Sequence, residues 1–204
     1  MVKLNRDLEI GYVRETSQVL PVLRETFKAM GFADDFRING RKNVVSFRDN
    51  EFAVVSDLEY NRLDYMHNDK NPSVSNAFCI FPEYNPGLGL AFVREGFVEQ
   101  VVVSTIHEFG HLLGNPLDNV PDEEAKAYAF VNAGANLIKA RNIGGLGEKV
   151  GSILNRKPCF KTSPNHHMAH GFVANLVEQG MNPLDLYEML CNRSISVCDS
   201  FGEF

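Results

Sequence analysis

The stretch Val101-Val102-Val103-Ser104-Thr105-Ile106-His107-Glu108-Phe109-Gly110-His111-Leu112-Leu113-Gly114 decides how the chain is read. It contains His107-Glu108-x-x-His111, a spacing at which two imidazoles one helical turn apart hold a zinc ion. A helix advances about 100° per residue, so His107 and His111 lie about 40° apart on one face and roughly 6 Å apart along the axis. Both ring nitrogens then converge on one metal at about 2.0–2.1 Å. Glu108 falls about 60° round from His111, beside the metal and not on it. A carboxylate there takes a proton from a metal-activated water and hands it to a leaving amine. Val102, Ile106, Phe109 and Leu113 form a stripe on the opposite side, spaced as a core-facing helix needs. Gly114 falls on the metal face, where a missing side chain leaves room and a helix can end.

The 204 residues are the length of one large domain or two small ones. Apolar residues make up 44%, enough to bury a core without disulfides. A net charge of −6 argues weakly against nucleic acid as the main partner. No apolar run follows the basic residues near Met1, so no signal peptide is visible, and no stretch has the length of a membrane span. These readings predict a cytoplasmic protein with no membrane partner. Cys79, Cys159, Cys191 and Cys198 form no CxxC pair and are expected to be free, unless an oxidising host pairs Cys191 with Cys198.

Read in order, Ser17 to Gly31 predicts an amphipathic helix capped by Ser17 and stopped by Gly31. Phe36 to Phe47 predicts a hairpin turning on Asn39-Gly40, a type I′ pair. Strands are expected at 52–55, 77–81 and 90–93, a short helix at 57–65 and a loop at 67–75. From about Phe97 the chain reads as helix: 97–114, 121–141, 146–155, 168–179 and 183–191. Gly144-Gly145-Leu146-Gly147 reads as a turn or hinge. The fold class is α+β: a small, mostly antiparallel sheet in residues 1–96, packed on the metal helix and a helical part in 97–204, together one domain.

A catalytic zinc site needs a third protein ligand and one open position. Six residues beyond His111 stands Leu117, which cannot bind metal; Asp118 is one residue late but stays possible. The other route is the next helix, opened by Pro121-Asp122-Glu123-Glu124-Ala125-Lys126-Ala127-Tyr128-Ala129-Phe130. Glu123 and Glu124 each fall within about 50° of the centre of its apolar stripe. An inward carboxylate is costly unless it is paired or binds a metal, and helical geometry alone does not choose between the two.

Ser104-Thr105-Ile106-His107-Glu108-Phe109-Gly110-His111-Leu112-Leu113 followed by Glu123-Glu124-Ala125-Lys126-Ala127-Tyr128-Ala129 resembles the gluzincin arrangement of zinc peptidases. Over about thirty residues it is most similar to the ImmA/IrrE-type metallopeptidases, in which a Thr-x-x-His-Glu-x-x-His helix precedes a Glu-Ala-x-x-Phe-Ala helix. Tyr128 stands where those proteins usually have phenylalanine, and the gap from His111 to Glu124 is short. The resemblance implies a zincin-like fold and Glu124 as the third ligand.

The remaining expectations concern the same cleft. A donor for the developing oxyanion is expected opposite the metal. His166, His167 and His170 cluster after Pro164-Asn165; His167 and His170 are the candidates, because they share a helical face, while Tyr128 reads equally as a core tyrosine. With the cysteines, this cluster could also form a second, structural zinc site. The expected function is a zinc metallopeptidase binding one catalytic Zn2+ through His107, His111 and Glu124, with Glu108 as general base and a peptide or protein as substrate. The alternative is a zincin-like regulatory or protein-binding module whose metal is structural or vestigial.

Overall fold

Helix α3, Val98–Leu112, carries the histidines and runs through the middle of the molecule. In the computed structural model residues 11–39, 43–67, 75–82, 88–154 and 163–201 are described. Val98, Val101, Val102, Thr105, Ile106 and Phe109 are buried along one side of α3. That side packs on a sheet formed earlier in the chain, as the apolar stripe requires.

The sheet has five strands in the order β2-β3-β4-β6-β5. These are β2, Phe36–Asn39, β3, Val44–Phe47, β4, Asn50–Val55, β5, Ala77–Ile80, and β6, Gly89–Arg94. All neighbours are antiparallel except β4 and β6, so the sheet is mixed, and β5 is its terminal strand. A separate short pair joins β1, Tyr12–Val13, to β7, Gly96–Phe97. It delivers the chain directly into α3.

The expected first hairpin is present, but its turn is not the two-residue one. Asn39 pairs with Val44, so four residues intervene, of which 40–42 lie outside the described residues. The tight turn is Arg48-Asp49, between the paired Phe47 and Asn50, with Arg48 at φ 54°. The loop expected at 67–75 lies largely outside the described residues, as does Cys159.

Helix α1, Leu20–Ala29, starts later than expected, after a 3-10 turn at Thr16–Gln18. Thr16, not Ser17, ties this entry down. Its hydroxyl donates to Asn43 O at 2.6 Å and accepts from Val54 N at 2.8 Å. Helix α2, Asp57–His67, crosses from β4 towards β5. After α3 come α4, Val120–Arg141, a 3-10 turn at Ile143–Gly145, and α5, Gly147–Leu154. Then follow α6, Pro164–Glu178, α7, Pro183–Cys191, and the short α8, Val197–Phe201. The fold is therefore α+β, with a small mixed sheet and mostly helical content. No helix among the described residues is long and apolar enough to cross a membrane.

Phenylalanines join the layers. Phe27 of α1 meets Phe36, Phe47, Phe109 and Phe130 with ring centroids 5.2, 5.1, 5.5 and 5.7 Å away. Each such edge-on pair adds about 0.5–1.5 kcal/mol beyond area burial. α1, the sheet, α3 and α4 thus share one core.

Where α3 crosses α4 the helices touch backbone to backbone. A Cβ added to Gly110 would lie 2.8 Å from Ala127 Cα and 3.2 Å from Ala127 O. Only glycine allows that approach. It brings the first turn of α4 under the histidines, and so positions the site.

Candidate metal centre

His107 and His111 face the same way from α3, their ring centroids 4.9 Å apart and the rings nearly perpendicular. Glu124, just past the first turn of α4, meets them. Its Oε2 lies 3.5 Å from His107 Nε2 and 3.8 Å from His111 Nε2. One ligand atom from each of the three residues lies within 4.8 Å of the others. A tetrahedral zinc with bonds near 2.0–2.1 Å sets its donors about 3.4 Å apart, so a small inward movement closes the set.

That oxygen of Glu124 is buried and makes no hydrogen bond. His166 Nδ1 stands 3.0 Å away, placed to form an ion pair with it when protonated. An orphaned buried carboxylate oxygen facing two imidazole nitrogens is costly without a cation, and it fits one. Burial alone would raise the Glu124 carboxyl. The imidazoles of His107 and His166, with the charge on His111, outweigh it and hold the group well below the usual carboxylate range. The donor set of two imidazoles and one carboxylate suits zinc.

Glu123, one residue earlier, serves the far side of His111. Its Oε1 is 2.8 Å from His111 Nδ1, and its Oε2 accepts from Leu117 N at 2.8 Å. With Nδ1 donating to this carboxylate, Nε2 keeps its lone pair for a metal. Burial raises the Glu123 carboxyl, but the bond to His111 and the Lys126 charge lower it further. Lys126 is fully buried and lies 2.9 Å from Glu123 Oε1. It also donates to His111 O at 3.1 Å and Asn115 O at 3.0 Å, closing the end of α3. The two glutamates that helical periodicity left equivalent therefore have different tasks. Asp118 is turned away, exposed and paired with Arg193 at 2.7 Å.

Glu108 is buried beside the ligands. Burial raises its carboxyl, the charges on His107 and His111 oppose the rise, and Glu124 adds to it. The thiol of Cys79, on the terminal strand β5, hydrogen-bonds this carboxylate. Burial, and then Glu108, push that thiol well up, so it stays protonated and donates. The sequence carried no signal for this contact, because it joins a strand to a helix through two side chains 29 residues apart.

Helix α6 begins at Pro164, four residues earlier than expected, because proline suits the first helical position. His166 and His170 consequently sit one turn apart, and both face Tyr128. Their ring centroids lie 6.1 and 5.3 Å from the Tyr128 ring. The Tyr128 hydroxyl is 3.4 Å from His166 Nδ1, and its ring meets that of His107 at 4.9 Å. His166 thus reaches the ligands, while the His170 ring meets that of Tyr128 and His167 lies about 100° round α6 from His166. Gly114 also differs from expectation. A Cβ there would meet Cys191 Sγ at 2.8 Å and Tyr187 Oη at 3.2 Å, so it makes room for α7 and not for the metal. No disulfide joins Cys191 to Cys198, and no second group of metal-ligating side chains gathers among the described residues.

No family model matches the chain, and no curated protein or solved structure matches it.

Proposed function

We propose that the chain is a zinc-dependent peptidase with a zincin-like, gluzincin-type site, most similar to the ImmA/IrrE-type metallopeptidases, in which His107, His111 and Glu124 hold the ion. The observation that carries this reading is the convergence of two imidazole nitrogens and one unbonded, buried carboxylate oxygen at a single point. Zinc, when bound there, supplies a Lewis acid that polarises the scissile carbonyl and brings the pKa of a water towards neutrality.

The chain's own residues do the rest. Glu108 accepts the proton of the attacking water and returns it to the leaving amine. A carboxyl raised by burial suits both halves of that transfer. The Cys79 thiol, beside Glu108, favours its charged form. Tyr128 and His166 are the donors placed for charge developing on the carbonyl oxygen. Burial, then Glu124 and Glu108, raise the Tyr128 phenol, so it keeps its proton as a donor must. The peptide is expected to add to the open edge of β5, where its backbone passes Cys79 and so the base.

The test pairs metal analysis with one variant. Purified protein should carry about one zinc per chain, and Glu108→Gln should keep it while peptide cleavage falls about 10²–10⁴-fold. Protein without stoichiometric zinc, or a Glu108→Gln variant that cleaves as fast as the parent, would refute the proposal.

A further inference from the structure

Beside the metal centre lies a cavity of about 630 Å³ that the reaction does not use. One wall is Phe81-Pro82, at the end of β5; the floor is the turn Leu112–Pro116 after α3; the far wall is the last turn of α7, with Glu188, Cys191 and Asn192. None of the three ligands lines it. Phe81 is the link, because its ring meets that of His111 edge-on at 6.3 Å. A substrate side chain next to the scissile bond would enter here.

The lining has two zones. Phe81, Leu112, Leu113 and Pro116 are apolar and suit a methylene stem. Among the described residues of the lining, Glu188, exposed at the rim, is the one carboxylate, and none is a lysine or arginine. Tyr187 and Cys191 are neutral: burial raises both, with Cys191 adding to the rise at Tyr187 and Tyr187 opposing it at Cys191. The C-terminal end of α7 lines the space and presents the negative end of a helix dipole, whereas the end of α3 is closed by Lys126. Three cations near the cavity are committed elsewhere: Arg48, whose charge acts on Tyr187, lies over the Phe32 and Phe47 rings. Lys126, beneath the floor, is matched by Glu123 at 2.9 Å, and Arg193, beyond the rim, by Asp118 at 2.7 Å.

From this complementarity we infer that the cavity is a specificity pocket for a lysine or arginine side chain of the substrate peptide, with Glu188 as the residue that selects the charge. Stem and head meet matching surfaces: methylenes against Phe81 and Leu112, the cation against Glu188 and the end of α7. A glutamate in the same place would meet like charge from both.

This inference rests on the peptidase reading for its substrate but not for its binding. The experiment therefore has two arms. Zinc-loaded protein is given hexapeptides that differ at one position, lysine, arginine, norleucine or glutamate, and cleavage is ranked. The same peptides are titrated against zinc-loaded Glu108→Gln protein, and binding is ranked. Lysine and arginine peptides should lead norleucine about tenfold in both arms, as expected for one charge-assisted contact. Glu188→Lys should invert the order in favour of glutamate. If no peptide is cleaved but basic peptides still bind best, the pocket stands and the peptidase reading falls. If basic peptides have no advantage, or their advantage survives Glu188→Lys, the pocket proposal is overturned whatever is cleaved.

Discussion

Gly110→Ala places one methyl group at the crossing of α3 and α4. On an open helix face the same change stabilises by about 1 kcal/mol, because alanine is the better helix former. Here the new Cβ would sit 2.8 Å from Ala127 Cα and 3.0 Å from Phe130 Cβ. Ordinary contact begins near 3.4 Å, so the helices must part by about 0.6 Å. Overpacking of this kind costs about 1–3 kcal/mol. The costs oppose, and the expected net is a loss of about 0–2 kcal/mol. In a chain this long that lowers the melting temperature by a few degrees, about 2–4 °C per kcal/mol. The metal centre feels the shift more. Ala127 lies one turn beyond Glu124, so the carboxylate moves with it, while zinc sites tolerate only about 0.2 Å. Zinc affinity should fall at least about tenfold. The control is Gly171→Ala on α6, where a Cβ meets nothing within 4 Å. It should raise stability by about 0.5–1 kcal/mol and leave zinc binding alone. Calorimetry and a competitive chelator titration read both quantities. Gly110→Ala protein that is stabilised like the control and binds zinc unchanged would refute the argument that this crossing sets the site.

Three further outcomes are expected. Glu123→Gln removes the carboxylate that fixes His111, and zinc affinity should drop about 10–100-fold by chelator competition, with the fold intact by circular dichroism. Lys126→Met leaves Glu123 buried without its cation, and the urea midpoint should fall by the equivalent of about 3–5 kcal/mol with an unchanged slope. Tyr128→Phe keeps the ring against His107 and His170 but removes the hydroxyl; kcat should fall about 10²-fold with KM little changed, and a change confined to KM would remove Tyr128 from the oxyanion role.

Much of this was legible because helices report themselves by periodicity. The spacing of His107, Glu108 and His111 and the apolar stripe opposite them fixed both faces of α3 before any coordinates. Glu123 and Glu124 were both visible as inward acids, but one residue of helix is 100° of rotation, and the choice between them depends on how α3 crosses α4. That crossing is set by Gly110 against Ala127, a contact between residues whose lack of bulk is easily taken for helix propensity alone. The start of α6 was misplaced because the histidines at 166 and 167 break the apolar pattern, although Pro164 marks the first turn. Contacts such as Cys79 with Glu108 have no periodicity and no local signature. They exist only once the sheet lies on the helix.

The start of α4 holds three acids in succession, Asp122 and Glu123 in its first turn and Glu124 just after, and each serves a different part of the molecule. Asp122 accepts from Ser196 Oγ at 2.9 Å and from the Val197 amide, Glu123 holds His111, and Glu124 faces the imidazoles. The tail of the chain is thereby anchored one residue from the inner support of the site and two from its third arm. Trimming the chain before Ser196 would strip Asp122 of those donors and loosen the very turn that aims Glu124, so the integrity of the far terminus becomes readable as metal retention.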